Sequence, residues 1–233
     1  ASLMSITTGY QNAVIGAYAG DAITTGQNNT ALGYAALSTE DTGTRNVAIG
    51  NEALKVLNYD GAGYNVAVGH RAGYDATTGT SNTLIGAFAG ENITTSGDNV
   101  ALGYAALGTA TTAAHNTALG QGAMGSVAAS QAVTGVVAIG SGALSGGAST
   151  TTGINYTIAI GNNALYSLTT GANNLAIGYE AMKVHTTGGN NIAIGYQAMD
   201  DTDAGSTSLG STENIFIGYS AGGGTWADAA SQY

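Results

Sequence analysis

One pattern of about ten residues is repeated along the whole chain and constrains its fold more than any other feature. Residues 173–182 read NNLAIGYEAM and residues 190–199 read NNIAIGYQAM, so these two copies differ at only two positions. Most neighbouring copies are separated by the same number of residues as these two. Where the separation is longer, we interpret the extra residues as insertions in one connecting loop. A short period kept along an entire chain indicates stacked repeats, each burying its apolar face against its neighbours. A glycine in the middle of the pattern anchors each of the twelve copies: Gly16, Gly33, Gly50, Gly69, Gly86, Gly103, Gly120, Gly140, Gly161, Gly178, Gly195 and Gly218.

Asparagine stands four residues before the anchor in ten of the twelve copies, whereas Val136 and Thr157 hold that position in the other two. Stacked asparagines can form an amide ladder in which each side chain bonds to its neighbour. Asparagine also tolerates a left-handed backbone, so closing a turn is the alternative role. The residues expected to form this ladder are Asn12, Asn29, Asn46, Asn65, Asn82, Asn99, Asn116, Asn174, Asn191 and Asn214.

The residues around the anchor alternate in the manner of a β-strand. In NIAIG, Ile192 and Ile194 share one face of an extended chain and Ala193 lies on the other. A second short extended segment is expected after the anchor, around the Y-x-A-M/L stretch. A helical interpretation is disfavoured because glycine recurs every few residues, at up to about 1 kcal/mol each in a helix interior.

These patterns predict an all-β fold: a parallel β-solenoid of about twelve coils over residues 1–222. Residues 223–233 break the pattern and are expected to form a C-terminal cap or to begin another segment, with Trp226 and Phe216 in the cap. We expect the Ile/Leu/Val column before the anchor to form the core. The alanines at the strand centre would then face outwards and let sister chains approach closely, in a homo-oligomer for which we expect threefold symmetry. The alternative is that these alanines fill a narrow interior.

Composition excludes several classes of protein. Only four Lys and Arg residues and a net charge of −10 argue against nucleic-acid binding, which needs cations to neutralise phosphates. Cysteine is absent, so disulfides and thiolate chemistry are excluded. No apolar run approaches the roughly 20 residues of a membrane helix, and we expect no membrane insertion.

A specific resemblance rests on NVAIG at residues 46–50 and NTALG at residues 116–120. These stretches resemble the head repeats of YadA-type trimeric autotransporter adhesins, and related repeats occur in bacteriophage tail fibres. The resemblance covers almost the whole chain, although the repeat is longer here than the usual coil of that family. It implies a trimeric, left-handed parallel β-roll on an exposed fibre that binds surfaces.

No constellation of catalytic residues is evident, and we expect neither enzyme activity nor a cofactor. His70, His115 and His185 fall at different phases of the repeat and are expected in exposed loops, apart from any triad. The densest acidic group lies in the longest insertion, and a solvated acidic loop is its simplest interpretation. Its carboxylates are weak candidates for Ca²⁺ ligands: Asp200, Asp201 and Asp203.

Five tyrosines directly follow an anchor glycine and should line one edge of the rod. A tyrosine ring offers an apolar face with a polar tip, which suits contact with sugars or protein surfaces. Shielding the core or a seam between chains is the alternative role. With Trp226 at the C-terminal tip, the candidate ligand-binding residues are Tyr34, Tyr104, Tyr179, Tyr196 and Tyr219.

The function expected from these observations is a structural and adhesive fibre module for attachment to a cell surface. It would act outside the cell, in a bacterial adhesin head or a phage tail fibre, and its partners would be two sister chains and a glycan or protein receptor. A different hypothesis is binding to ice or another crystal surface by the repeated TTG threonines, although loops of unequal length disturb their spacing.

Overall fold

The computed structural model describes residues 5–127, 132–146, 153–200 and 211–223, which form a β-solenoid with one short strand in each coil. The all-β, parallel architecture expected from the repeats is confirmed. Within the described ranges no helix is present that could cross a membrane. The strands are β1 (Ala13–Ile15), β2 (Thr30–Leu32), β3 (Val47–Ile49), β4 (Val66–Val68), β5 (Thr83–Ile85), β6 (Val100–Leu102), β7 (Thr117–Leu119), β8 (Val137–Ile139), β9 (Ile158–Ile160), β10 (Leu175–Ile177), β11 (Ile192–Ile194) and β12 (Ile215–Ile217).

The strands form a single parallel sheet in which their order along the chain is also their order in space. Pairing is in register with the repeat, so that Val47 lies opposite Val66 and Ala48 opposite Ala67. Each column of the sequence therefore becomes a row of stacked side chains along the solenoid axis.

The second extended segment expected after the anchor is absent from the described coils, and that expectation was wrong. The residues two and four positions after the anchor have left-handed backbone angles, as at Glu52 (φ 57°) and Leu54 (φ 47°). Alternating left-handed residues reverse the chain within a few positions and leave no room for a strand. Coil-to-coil bonding nevertheless continues there, since Leu37 N donates to Ala53 O at 3.0 Å.

The anchor glycines from Gly16 to Gly195 are required by both their conformation and their neighbours. Gly103 has a φ of 135°, a region that side chains with a Cβ rarely adopt. A Cβ placed on Gly103 would lie 2.6 Å from the carbonyl oxygen of Gly120, the next anchor along the axis. The anchors thus allow successive backbones to stack in direct contact.

The two faces of the strand are the reverse of our sequence-based assignment. The central residue of each strand points into the coil, and at nine of the twelve strands it is a fully buried alanine: Ala31, Ala48, Ala67, Ala101, Ala118, Ala138, Ala159, Ala176 and Ala193. The Ile/Leu/Val column points outwards, so the described strands form neither an aliphatic core strip nor an alanine docking face. Alternation shows which residues share a face, but the face that turns inwards is decided by the narrow interior of so short a coil. The alternative, that alanine fills this interior, is confirmed.

The interior space next to the strand is filled by one large side chain per layer, supplied from either of two positions. Where the strand centre is alanine, the residue four after the anchor is usually Leu or Met, as at Leu107 and Met124. Where the strand centre is larger, that residue is glycine, as in the pair Leu84 and Gly90. A Cβ on Gly90 would lie only 2.7 Å from Leu84 Cδ2. Val14 with Gly20 and Phe216 with Gly222 follow the same rule.

Candidate ligand-binding surface

The outward face of the sheet is a continuous aliphatic surface, which we call the aliphatic stripe. It consists of the first and third residues of each strand. The third residue is Val, Ile or Leu in all twelve strands, and the first residue is aliphatic in nine of them, with Thr in the remaining three. Exposure reaches 68% at Ile15 and Ile217 and 45% at Leu102. The stripe contains no charged residue in any of these strands and runs the full length of the sheet.

The post-glycine tyrosines share one column, but the structure divides them into separate clusters. Tyr179, Tyr196 and Tyr219 come from successive coils and stack face to face, with centroids 5.1 and 5.0 Å apart and planes within 12° of parallel. Between 42% and 78% of each of these three side chains remains exposed. Parallel stacking covers the ring faces inside the cluster, so mainly ring edges and hydroxyl groups face the solvent.

The other two tyrosines make edge-to-face contacts instead. Tyr34 meets Tyr18 of the preceding coil with centroids 5.7 Å apart and planes at 86°. Tyr104 meets Phe88 at 5.6 Å, and Phe88 in turn meets His70 at 5.1 Å. Coils without an aromatic residue in this column separate the clusters.

A groove lies beside the first of these clusters, and we call it the Tyr18–Tyr34 groove. It is a shallow, open depression of about 350 Å³, lined by Tyr18, Asp21, Tyr34, Ala35, Ser38 and Lys55. Sequence reasoning singled out only Tyr34 among these residues. The others stand two or five residues after the anchors of three successive coils, and the stacking register brings them together.

A charged network adjoins the groove. Lys55 Nζ donates to Glu52 Oε1 at 2.6 Å, and this bond lowers the pKa of Glu52 and raises that of Lys55. Arg71 bonds to Glu91 at 3.0 Å and lies 4.2 Å from the ring centroid of Tyr74. The cations here are thus already partnered by carboxylates of their own chain.

A similar arrangement flanks the stacked tyrosines. Glu180 accepts bonds from Lys183 Nζ at 2.7 Å and from Gln197 Nε2 at 2.9 Å, which lower the pKa of its carboxyl group. A hydrogen bond to Glu180 raises the pKa of Tyr179. The stack is therefore braced along one side by polar contacts within the chain.

The asparagines four residues before the anchors are almost all buried and are linked from coil to coil. Asn82 Oδ1 accepts the backbone N–H of Asn99 at 3.2 Å and its side-chain amide at 3.0 Å. Asn99 Nδ2 also donates to Ala113 O in the next coil at 2.8 Å. The left-handed residue of this corner is the preceding one, Asp98, so the asparagine stabilises the turn through its side chain.

The ladder is interrupted where its asparagine is replaced. Asn116 Oδ1 still accepts the backbone N–H of Val136 at 2.9 Å, but valine offers no side-chain acceptor to the next coil. Thr157 follows, and its buried hydroxyl oxygen has no partner among the described residues. The ladder resumes at Asn174, which bonds to Asn191.

Among the described residues, two ionisable side chains occupy an interior column that is otherwise aliphatic there, seven residues after the anchor. Glu40 is fully buried, where its carboxylate accepts N–H bonds from Gly43 at 2.6 Å and from Tyr59 at 3.1 Å. Burial raises the pKa of Glu40. The bond from Tyr59 N–H links Glu40 to the following coil, which carries a two-residue insertion. His185 is also fully buried, which corrects its expected place in an exposed loop. Its pKa is lowered by burial.

The acidic and aromatic candidates near the C-terminal end are only partly described. Asp201, Asp203 and Trp226 lie outside the described residues, and Asp200 is half-buried. No group of three or more His, Asp or Glu side chains within the described ranges could hold a metal ion. Phe216, expected in a cap, is the central residue of β12 and packs against the core.

In the TTG turns the first threonine bonds to the next coil, whereas the second is exposed at Thr25 and Thr78. Thr77 Oγ1 donates to Thr94 O at 3.2 Å, and Thr94 Oγ1 donates to Thr111 O at 3.0 Å. The hydroxyl protons of these side chains therefore point to the next coil and are not presented to a surface.

Comparison of the chain with protein-family models, with curated protein sequences and with solved structures finds no match.

Proposed function

We propose that this chain is a structural and adhesive fibre module that assembles as a homotrimer and attaches to a cell surface. The single observation that carries the proposal is the aliphatic stripe, an uncharged sheet face that extends over all twelve strands. The largest apolar patch of a typical soluble monomer covers about 300–600 Å² and is often an interaction site.

The dimensions of the stripe suit a long, narrow contact. Twelve strands at about 4.8 Å give a length on the order of 50 Å, and two side chains on a three-residue strand give a width of roughly 7 Å. The patch is therefore on the order of 400 Å² even when taken as flat. A second surface that covers it must be equally long and must repeat at the same interval, which a copy of the same chain does.

A threefold arrangement uses both columns of the stripe. When three parallel rods surround one axis, the first-residue column of each chain faces the third-residue column of its neighbour, and the assembly closes. The family resemblance of NVAIG and NTALG implies the same trimer and a left-handed winding of the chain. Because the strand-centre alanines point inwards, the proposed interface between chains is formed by aliphatic side chains and not by small residues.

Adhesion is supported by the repeat itself and by the resemblance. A trimeric rod presents every surface feature three times, and several weak contacts on one body give avidity. We place the module outside the cell, on a bacterial surface or a virion tail fibre, with a glycan or protein receptor as partner. Crystal-surface binding is the less favoured function because the first threonine of each pair donates to a backbone carbonyl and loops of unequal length disturb the spacing of the second.

The solution mass and cell binding test this proposal together. We expect a particle of three times 22.8 kDa that binds to intact cells from a panel of bacteria and animal tissues. Leu102→Lys places a charge on the stripe and should dissociate the trimer, whereas Thr112→Lys, at an exposed position away from the stripe, should not. A monomeric wild-type chain would refute the assembly, and absence of binding to every cell type would refute adhesion.

A further inference from the structure

The Tyr18–Tyr34 groove combines features that suit a small polar ligand with apolar faces. Its volume of about 350 Å³ falls within the usual range of ligand sites, which begins at about 300 Å³. Tyr18 and Tyr34 are 53% and 50% exposed, so their rings remain accessible from the groove. Ala35 is buried, has no polar side-chain atom and leaves room between the rings and the polar residues.

The ring geometry distinguishes this groove from the tyrosine stack at the other end. The rings of Tyr18 and Tyr34 are nearly perpendicular, so the edge of one covers the face of the other and the second ring keeps a face uncovered. In the stack of Tyr179, Tyr196 and Tyr219 the inner faces cover each other, and both faces of Tyr196 are covered. The first cluster offers aromatic faces next to the polar residues that line the groove.

The polar residues of the groove complement hydroxyl groups. Asp21 supplies acceptors, Ser38 supplies a hydroxyl that both donates and accepts, and each tyrosine contributes a phenolic group. A pyranose ring has an apolar C–H face for the aromatic ring and a rim of hydroxyls for these groups. Aromatic rings that bind through one apolar face while their polar tips form hydrogen bonds are well suited to such a ligand.

The electrostatics of the groove disfavour an anionic ligand. Among the described residues that line it, Lys55 is the only cation, and its ammonium group is bonded to Glu52 at 2.6 Å. The charges of Lys55 and Glu52 cancel, so Asp21 leaves the groove with a net negative charge. The net charge of the whole chain is −10. An acidic sugar or a phosphate would therefore meet net repulsion.

We propose that the Tyr18–Tyr34 groove binds an uncharged pyranose unit of a cell-surface glycan, with Tyr34 and Tyr18 as the stacking platform and Asp21 as the hydroxyl acceptor. This inference rests on the proposed adhesive function and names its ligand class. Tyr34 directly follows the anchor beside the aliphatic stripe, so each chain of a trimer carries one groove next to a seam between chains.

Saturation-transfer NMR with uncharged disaccharides of glucose, galactose, mannose and N-acetylglucosamine tests the proposal. At least one is expected to bind saturably to the wild-type protein, and Tyr34→Ala and Asp21→Ala should each weaken that binding by tenfold or more. Tyr156→Ala, at an exposed tyrosine outside every aromatic cluster described above, is the matched control and should leave binding unchanged. Circular dichroism and solution mass establish that each variant keeps its fold and assembly.

The proposal is overturned if no uncharged disaccharide binds saturably, or if folded Tyr34→Ala and Asp21→Ala bind like the wild type. Cell binding measured in parallel separates this failure from failure of the function. If the Tyr34→Ala variant binds cells as well as the wild type does, the adhesive function stands and the groove is rejected as the binding site. Cell binding that is lost on protease treatment of the cells but unaffected by the competing disaccharide assigns a protein receptor, which also rejects the groove.

Discussion

The compensation between Leu84 and Gly90 allows a quantitative test of how the solenoid is packed. Leu84 is 1% exposed and stands at the centre of β5, where most strands have alanine. Its side chain also reaches the layer of the preceding coil, since a Cβ on Gly73 would lie 2.8 Å from Leu84 Cδ1. Leu84→Ala therefore empties space in two layers, both of which have glycine instead of leucine four residues after the anchor.

The expected loss follows from the atoms removed. Three buried carbon groups at about 0.8 kcal/mol each account for roughly 2.4 kcal/mol. The cavity adds to this, and measured Leu→Ala changes extend to about 5 kcal/mol. Because the glycines cannot fill the space, we expect a decrease of about 4 kcal/mol in the free energy of unfolding. Gly90→Leu alone overfills the layer and should cost about 1–3 kcal/mol.

The double variant Leu84→Ala with Gly90→Leu recreates the arrangement of the neighbouring coil, which has Ala101 and Leu107. Leu107 has a φ of 52° and Gly90 a φ of 56°, so the backbone at this position accepts leucine. We expect the double variant to recover about 2 kcal/mol relative to the sum of the single changes, which is within the usual range for residues in contact. Urea unfolding followed by circular dichroism, at one protein concentration, measures this coupling. Additive losses would show that the two positions do not share one packing site. This result would refute the inference that either position can supply the large side chain of a layer.

Two further predictions concern the backbone and the buried histidine. Gly120→Ala should cost about 3 kcal/mol or more, because its φ is 127° and the new Cβ would lie 2.6 Å from the carbonyl group of Gly140. Gly122→Ala, with a φ of 63° and no atom within 4 Å of the new Cβ, should stay within about 1 kcal/mol of the wild type, and equal losses in urea unfolding would contradict this reasoning. Burial lowers the pKa of His185 below its ordinary 6.5, so its contribution to stability is complete above pH 6.5 and is lost as the pH falls through the lowered folded-state value. His185→Leu, which copies Leu168 of the preceding coil, should remove a decline of up to about 1.4 kcal/mol per pH unit, and an unchanged pH profile of stability would refute this.

The fold was predictable because the anchors define the register without any reference to tertiary contacts. Gly33 and Gly50 are one repeat apart, and that spacing alone places β2 beside β3. The orientation of the strand was not predictable from alternation, since Ala48 and Val47 could each have faced inwards. The deciding information is the partner column, in which Leu54 takes the interior space that a larger residue at Ala48 would need.

The groove was less accessible to sequence reasoning than the fold. Tyr18, Asp21 and Lys55 stand two, five and five residues after their anchors, and no local motif joins them. Their proximity depends on the stacking of three coils, and only Tyr18 among them has a left-handed backbone. The buried state of His185 had a signal, because the same column holds Leu168 in the preceding coil, but only a comparison of columns reveals it.

The register between coils also bears on how such a chain can change in length. Apart from layers such as that of Leu84, each coil contacts its two neighbours through the same columns, so removal or duplication of one whole coil leaves the remaining contacts as they were. Adjacent copies such as residues 173–182 and 190–199 are similar enough in sequence to permit unequal recombination between them. The reach of the rod can therefore vary in steps of about 4.8 Å while its surface chemistry is retained.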